Sequence, residues 1–326
     1  MCRVLPDVFV ENQRHLFDLA YRLTGSAADA DDVVQETFTR ALAAPPARTD
    51  VPWRPWLVRV ATNLGRDVLR RRRSAVYAGP WLPSPLETDD LADDRPGPEA
   101  LLGRLESTST AFLRSLEALT PKARAVLVLR DAMGYSVREA ADALAISEAD
   151  VKVTLHRARR ILEGHDAGRA PVDDAARAAT QRALEALLLA LASQDPKNVE
   201  ACLARSVRAL NDGAGEFPAA LRPLDGPWRV SRLLLGLGRK PHARDPRVEV
   251  RLLNGLPALV IDFAPRGGSE PSSSTLARRA EVTSGASVRL APRIAPRAVL
   301  RVEVDAEGKI ARLESVLATR KLTGLR

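Results

Sequence analysis

Arg59, Thr62, Asn63, Arg66, Arg70 and Arg73 stand at offsets of 0, 3, 4, 7, 11 and 14, which is the spacing of residues on one helix face. Guanidinium groups mixed with an amide and a hydroxyl suit the chemistry of a phosphate backbone and base edges rather than bond making. Trp53 and Trp56, one turn upstream, are flat and apolar enough to stack on unpaired bases. The plainer alternative is a solvated helix face with both tryptophans in a core. The run "RRRR" at 70–73 favours an anionic partner.

Two other stretches have marked polarity. Asp29, Asp31, Asp32 and Glu36 load the N-terminal half of the preceding helix with acid. Part of that complements the helix dipole, and the rest suggests a second surface for a partner that is not nucleic acid. Further on, "SVRE" at 136–139 and "SEAD" at 147–150 have capping-box spacing, with aspartate in place of glutamate in the second. They predict a short helix over 137–144, a turn, and a longer helix over 148–163. That is helix-turn-helix geometry, and its second helix bears Lys152, Thr154, His156, Arg157, Arg159 and Arg160. Val151, Val153 or Leu155, and Ile161 are its expected buried side. A simple antiparallel helical hairpin is the alternative.

Enzyme chemistry has little to stand on. Past residue 175 there is no tyrosine and one histidine, His242. Asp212 and Asp225 are candidate bases, but turn aspartates beside glycine commonly serve the backbone. The four histidines lack metal-ligand spacing, and Cys2 and Cys202 are the only thiols, so neither a metal, a cofactor nor a disulfide framework is expected. The longest apolar run, "ALEALLLALA", is about half the roughly 20 residues that span a bilayer. A cytoplasmic protein without membrane association is the reading. The formal charge is +8 and only six of 49 basic residues are lysine. That skew reflects composition, so where the charge sits matters more than its total.

At 326 residues the chain calls for more than one compact unit. Apolar stripes at Leu16, Leu19, Ala20 and Leu23, at Ala30, Val34, Phe38, Ala41 and Leu42, and at Leu57, Val60, Ala61, Leu64 and Val68 predict three helices within residues 1–75. A proline-rich linker follows over 76–104, then a second helical unit over 105–166. Residues 175–326 change class, with a helix near 175–193 and two hairpin-like runs turning at Asn254-Gly255 and Glu307-Gly308. Leu300, Val302 and Val304 alternate with Arg301, Glu303 and Asp305, so one sheet face is expected to be wet. The expected fold is two all-α units followed by an α+β unit with an antiparallel sheet.

"DADDVVQETFTRAL", "PWLVRVATNLGRDVLRRRR" and "LTPKARAVLVLRDAMGYSVREAADALAISEADVKVTLHRARRIL" resemble, in order, region 2.2, regions 2.3 to 2.4 and region 4 of an extracytoplasmic-function sigma factor. The resemblance covers roughly residues 8–163. It implies a dissociable subunit of bacterial RNA polymerase that recognises promoters and performs no covalent chemistry. On that resemblance Asp32, Val33, Gln35, Glu36 and Phe38 dock on the polymerase β′ clamp helices, although Phe38 also lies on a core stripe. Trp56, Arg59, Asn63 and Arg66 open and read the −10 element, with "ARTDVPW" at 47–53 as the loop that captures a flipped base. Ser136, Arg138, Ser147, Glu148, Lys152, Arg157 and Arg160 read the −35 element, and region 4 meets the β flap. A ligand-responsive helix-turn-helix regulator that does not bind polymerase is the alternative; it has no use for the acidic helix.

"YAGPWLPSPL" resembles the linker motif of the subgroup with a fused SnoaL-like domain of the nuclear-transport-factor-2 superfamily, whose curved sheet the resemblance implies here. Ser84 stands where that subgroup usually has glutamate. Its Asp-Gly-Gly-Gly-Lys turn appears as "NDGAGE" at 211–216, so a base has become Glu216. The resemblance implies that the last unit regulates activity by touching region 2 and the linker, with Trp81, Leu82, Pro83 and Pro85 facing Asp212, Gly213 and Gly215. An acid lost from one motif and a base from the other implies a salt bridge missing from both sides. On the alternative, Trp81 caps the core of the first unit.

Overall fold

The computed structural model describes residues 4–47, 51–89, 106–166, 172–238, 246–263 and 295–325. Outside them lie the second half of the proline-rich linker from residue 90 on, residues 48–50 of the loop before Trp53, His242, and residues 264–294.

The first three helices are α1 (Val4–Thr24), α2 (Ala27–Ala43) and α3 (Arg54–Ser74). Gly25, at φ +67, ends α1 in a conformation that glycine adopts freely. Ser26 then caps α2, its hydroxyl accepting from the Asp29 amide at 3.3 Å. Leu16, Leu19, Leu23, Ala30, Leu57 and Ala61 fill the space between the helices. The inward arc of α3 is Leu57, Val58, Ala61, Thr62, Gly65 and Leu69, wider than the expected stripe and turned from it. The reason is that α3 packs on a second set of helices as well as on α1 and α2.

That second set is α4 (Thr110–Ser115), α5 (Pro121–Leu127), α6 (Val137–Leu144) and α7 (Glu148–Asp166). Ser136 and Glu139 close a reciprocal capping box at the start of α6. Ala145, at φ 53, turns the chain into α7. The helix-turn-helix of the sequence is present, its first helix with the expected bounds and its second running on past residue 163 to Asp166. Val151, Leu155, Ala158 and Leu162 are the buried side of α7, whereas Val153 and Ile161 face outward at 48% and 45% exposure. Both sets of helices share one buried apolar cluster that runs from Val8 to Leu162. α3 packs directly on α5 and α6.

The last unit begins with α8 (Asp174–Ser193) and α9 (Pro196–Ala201). Six strands follow: β1 (Leu203–Asp212), β2 (Leu224–Asp225), β3 (Arg247–Leu253), β4 (Leu256–Asp262), β5 (Arg297–Val304) and β6 (Ile310–Val316), with α10 (Pro227–Gly238) between β2 and β3. Their order is β2-β1-β6-β5-β4-β3. Four pairings are antiparallel, as expected, and one corrects the expectation: β1 runs parallel to β6. These two strands are joined through the whole intervening unit rather than by a hairpin, so nothing forces them to oppose. Strand β1 lies outside the two strand-like runs of the sequence.

One side of the sheet packs Leu259, Leu300, Val302 and Leu313 with Leu184 and Leu187 of α8. The other side corrects the expectation of a wet face. Arg301 and Glu314 are 6% and 2% exposed, because the linker and α4 lie across them. Residues 82–86 of the linker are buried throughout, and Glu87 makes a β-bridge to Leu253. Proline suits this path, since the segment gives few amides to any ladder.

Candidate functional site

On α3, Arg59, Asn63, Arg70 and Arg73 are exposed and Arg66 is half-buried, so most of the expected face exists. Arg66 donates to the Asn63 amide oxygen at 3.3 Å and Arg70 pairs with Asp67 at 2.6 Å. Burial and the neighbouring Arg70 pull the Arg66 pKa down. Thr62 is a correction: it is fully buried, with no partner for its hydroxyl among the described residues. It falls inside the widened inward arc of α3. Trp53 and Trp56 are half-buried against the helical core, each with one side in the protein and one outside. Arg73 donates to the Leu119 carbonyl and Arg72 pairs with Glu117 at 3.6 Å, so the arginine run is partly engaged by the helix-turn-helix unit.

The expected reading surface of α6 and α7 is laid out in the open. Ser136, Arg138, Ser147, Glu148, Lys152, His156, Arg157 and Arg160 are all exposed. Thr154 is half-buried and donates to Asp150 at 3.1 Å. Asp150 also pairs with Lys122 at 2.6 Å, and the Ser147 hydroxyl accepts from its amide at 3.1 Å, so this carboxylate braces the start of α7. Its pKa is lowered, chiefly by the Lys122 hydrogen bond. Arg159 forks onto Asp131 at 2.9 and 2.6 Å and is thereby turned toward the protein.

On α2 the sequence residues divide. Asp32, Gln35 and Glu36 are exposed, whereas Val33 and Phe38 are buried at 2% and 5% exposure. For these two a docking contact is corrected to a core position: they fall on the inward side of the helix, and the Phe38 ring packs on Phe9 with centroids 4.7 Å apart.

The segments that carry these surfaces match known protein families. Residues 8–75 match Sigma-70 region 2 and residues 109–162 match Sigma-70, region 4. The Mycobacterium tuberculosis ECF RNA polymerase sigma factor SigJ is 34% identical over 227 residues, covering 69% of this chain and 70% of that protein. The chain belongs to the extracytoplasmic-function RNA polymerase sigma factors. ECF RNA polymerase sigma factor SigG of the same species is 40% identical over 172 residues, covering 46% of this sigma factor and 45% of that protein. The crystal structure of the M. tuberculosis extracytoplasmic function sigma factor SigJ superposes with a TM-score of 0.65 at 26% identity, with 97% of each chain covered. The family is one of transcription factors, not enzymes, and it implies RNA polymerase and promoter DNA as partners.

In this sigma factor the linker and the sheet unit meet at two buried nodes. At the first, Asp212 is fully buried and accepts from the Tyr77 hydroxyl at 2.5 Å, the Leu82 amide at 2.8 Å and the Lys321 amine at 2.5 Å. The Trp81 ring lies between two cations, with Arg72 of α3 and Lys321 each 4.2 Å from its centroid. A side chain on Gly25 would come within 2.6 Å of that ring. Trp81 therefore both covers the first helical unit and docks on the last one, joining the two sequence readings.

The motif segments do approach one another, but with a different charge partner. Ser84 is buried with its hydroxyl unpartnered among the described residues. Glu216 accepts from the Thr319 amide at 3.0 Å, and Lys321 supplies the cation for Asp212. Gly213 cannot hold a side chain, since a Cβ there would meet the Phe217 carbonyl oxygen at 2.5 Å; Gly215 takes φ +76. Asp212 is thus a structural anchor, and Asp225 is an exposed partner of Arg208 at 2.7 Å.

The second node is Asn254, which the sequence marks only as a turn. It is 2% exposed. Its amide donates to the Tyr21 hydroxyl at 2.8 Å and the Thr108 carbonyl at 2.9 Å, and its oxygen accepts from the Leu86 amide at 3.1 Å. One side chain thereby joins α1, the approach to α4, the linker and the β3–β4 turn. Beside it, Arg301 donates to the Pro83 carbonyl and the Thr110 hydroxyl, both at 3.1 Å. Arg114 of α4 reaches Glu303 at 2.8 Å and also Glu314.

Proposed function

We propose that this sigma factor directs promoter-specific initiation and that its sheet unit regulates it in cis by holding the chain closed. Asp32, Gln35 and Glu36 dock on the β′ clamp helices. Trp53, Trp56, Arg59, Asn63 and Arg66 act on the −10 element, backed by Arg70 and Arg73. Ser136, Arg138, Ser147, Glu148, Lys152, His156, Arg157 and Arg160 hold the −35 element, with region 4 on the β flap. Residues 1–75, 105–166 and 175–326 act as separable units joined through the 76–104 linker, in a cytoplasmic protein. Among the described residues no helix is long and apolar enough to cross a membrane.

The observation that supports closure is the packing of α3 on α6 within one apolar cluster. The −10 and −35 positions are about 25 base pairs apart, roughly 85 Å of duplex at about 3.4 Å per pair. Helices in contact cannot serve both ends of that span, so promoter binding requires α3 and α6 to part. Asn254, Arg301 and Arg114 oppose that separation, because each links the sheet unit or linker to helices on one side or the other of the opening.

Run-off transcription with core RNA polymerase tests the reading, comparing the full chain, its Asn254→Ala variant and a chain ending at Asp166. Promoter-specific transcripts that increase from the first to the second establish initiation and closure together. Duplex binding without any affinity for core polymerase would instead establish the ligand-responsive regulator.

A further inference from the structure

A cavity of about 300 Å³ opens between α4 and the sheet unit, at the low end of volumes that hold small ligands. Its walls come from both sides of the closure: Ser109, Thr110 and Arg114 from the helical part, Arg301, Arg312 and Glu314 from the sheet. Val172, Ala176, Leu256, Pro257, Val302 and Val304 supply the apolar part.

The charges along its walls do not balance. Three guanidinium groups, Arg114, Arg301 and Arg312, face two carboxylates, Glu303 and Glu314. Arg301 spends its two terminal nitrogens on the Thr110 hydroxyl, the Pro83 carbonyl and Glu314, and only its buried Nε has no partner among the described residues. Arg114 is engaged by both glutamates. Arg312 makes one bond, from Nε to Glu303 at 3.0 Å, and its two terminal nitrogens have no partner among the described residues. A half-buried guanidinium with an unused pair of donors suits a carboxylate, whose two oxygens accept in parallel.

We propose that this cavity binds a small organic acid, one carboxylate on an apolar body, with the carboxylate on Arg312 and the body against Val172, Leu256, Pro257 and Val302. The carboxylate competes with Glu303 for Arg312. Glu303 is also the partner of Arg114 on α4, so occupancy alters the contact between the helix-turn-helix unit and the sheet. The site goes beyond the initiation role, and its occupancy can be measured without polymerase.

The test is calorimetric titration of the full chain with octanoate, and with octanol as the uncharged counterpart. Two variants accompany it: Arg312→Gln, which removes the charge from a partly exposed position, and Ala176→Phe, which fills the cavity from α8. Saturable octanoate binding is expected, weakened about tenfold by Arg312→Gln, abolished by Ala176→Phe, and stronger than octanol binding. The proposal is overturned by absence of saturable octanoate binding to the full chain, by binding that neither variant changes, or by octanol binding as tightly as octanoate.

Discussion

The side-chain amide of Asn254 donates to the hydroxyl of Tyr21 at 2.8 Å, across 233 residues of sequence. Tyr21 passes the connection on, donating to the Ser84 carbonyl at 2.7 Å. The first helix, the linker and the sheet unit are thereby joined through two side chains with little access to water. Complete burial raises the Tyr21 pKa to about 12, so the phenol stays protonated and able to donate across the physiological range.

Asn254→Ala leaves the Tyr21 hydroxyl, the Thr108 carbonyl and the Leu86 amide short of a partner, and places alanine at φ 51. A loss of about 3 kcal/mol is expected, against about 1 kcal/mol for Tyr21→Phe. Urea unfolding of both variants and the double variant checks this, and strictly additive losses would show that the two residues are not coupled.

Lys321 gives a pH dependence of defined sign. Burial lowers its pKa from 10.5 to about 8, against the pull of Asp212. Below the folded pKa the amine is charged in both folded and unfolded chains, and the full penalty of burying the charge is present. Between about pH 8 and 10 the unfolded chain binds more protons, so this contribution to stability rises with pH. Tyr21 and Tyr77, whose pKa values are raised by burial, oppose it only above about pH 10. Asp212, Tyr77, Trp81 and Arg72 face the same amine. The unfolding midpoint of the native chain is expected to gain on that of Lys321→Met from about pH 7.5 to 9.5; parallel profiles would remove Lys321 as the source.

Arg320 pairs with Asp32 at 2.6 Å and lies 3.8 Å from Asp29, on the face of α2 proposed to meet polymerase. The arginine is 66% exposed, so Arg320→Ala is expected to change stability by less than about 1 kcal/mol. Freeing the acidic face is expected to tighten binding to core polymerase by about twofold to fivefold, the scale of one exposed ion pair. Fluorescence anisotropy with labelled full chain measures it, and an unchanged affinity places the docking surface elsewhere.

Lys152→Ala and Arg157→Ala remove exposed charges of α7 that support no other element among the described residues. Each is expected to reduce the slope of log affinity against log salt by about 1 for a −35 fragment, with unfolding midpoints unchanged. A salt slope that does not move would take the residue off the phosphate backbone.

What was legible in the sequence depended on how far each residue's partners lie along the chain. Ser136 and Glu139 bond each other, so the start of α6 could be read from four letters. Val33 and Phe38 share the α2 stripe with the core, and periodicity alone does not separate a docking residue from a packed one. Thr62 looked outward until α5 and α6 were packed on α3. Arg301 alternates correctly for a wet face and is nevertheless buried, since the linker that covers it is more than 200 residues away. Lys321 had no sequence signal, because its function follows from the Asp212 carboxylate and the Trp81 ring folding around it.

The nodes that hold the helices together are made late in synthesis. Asn254 and Lys321 lie roughly 90 and 150 residues beyond the end of α7, which at about 5–20 residues per second means several seconds to half a minute. During that interval the acidic α2 and the arginine face of α3 have left the ribosome while the side chains that close the chain have not yet been translated. On the closure proposed above, the newly made protein and the finished one are expected to differ in what they can bind, with the difference set by the clock of translation.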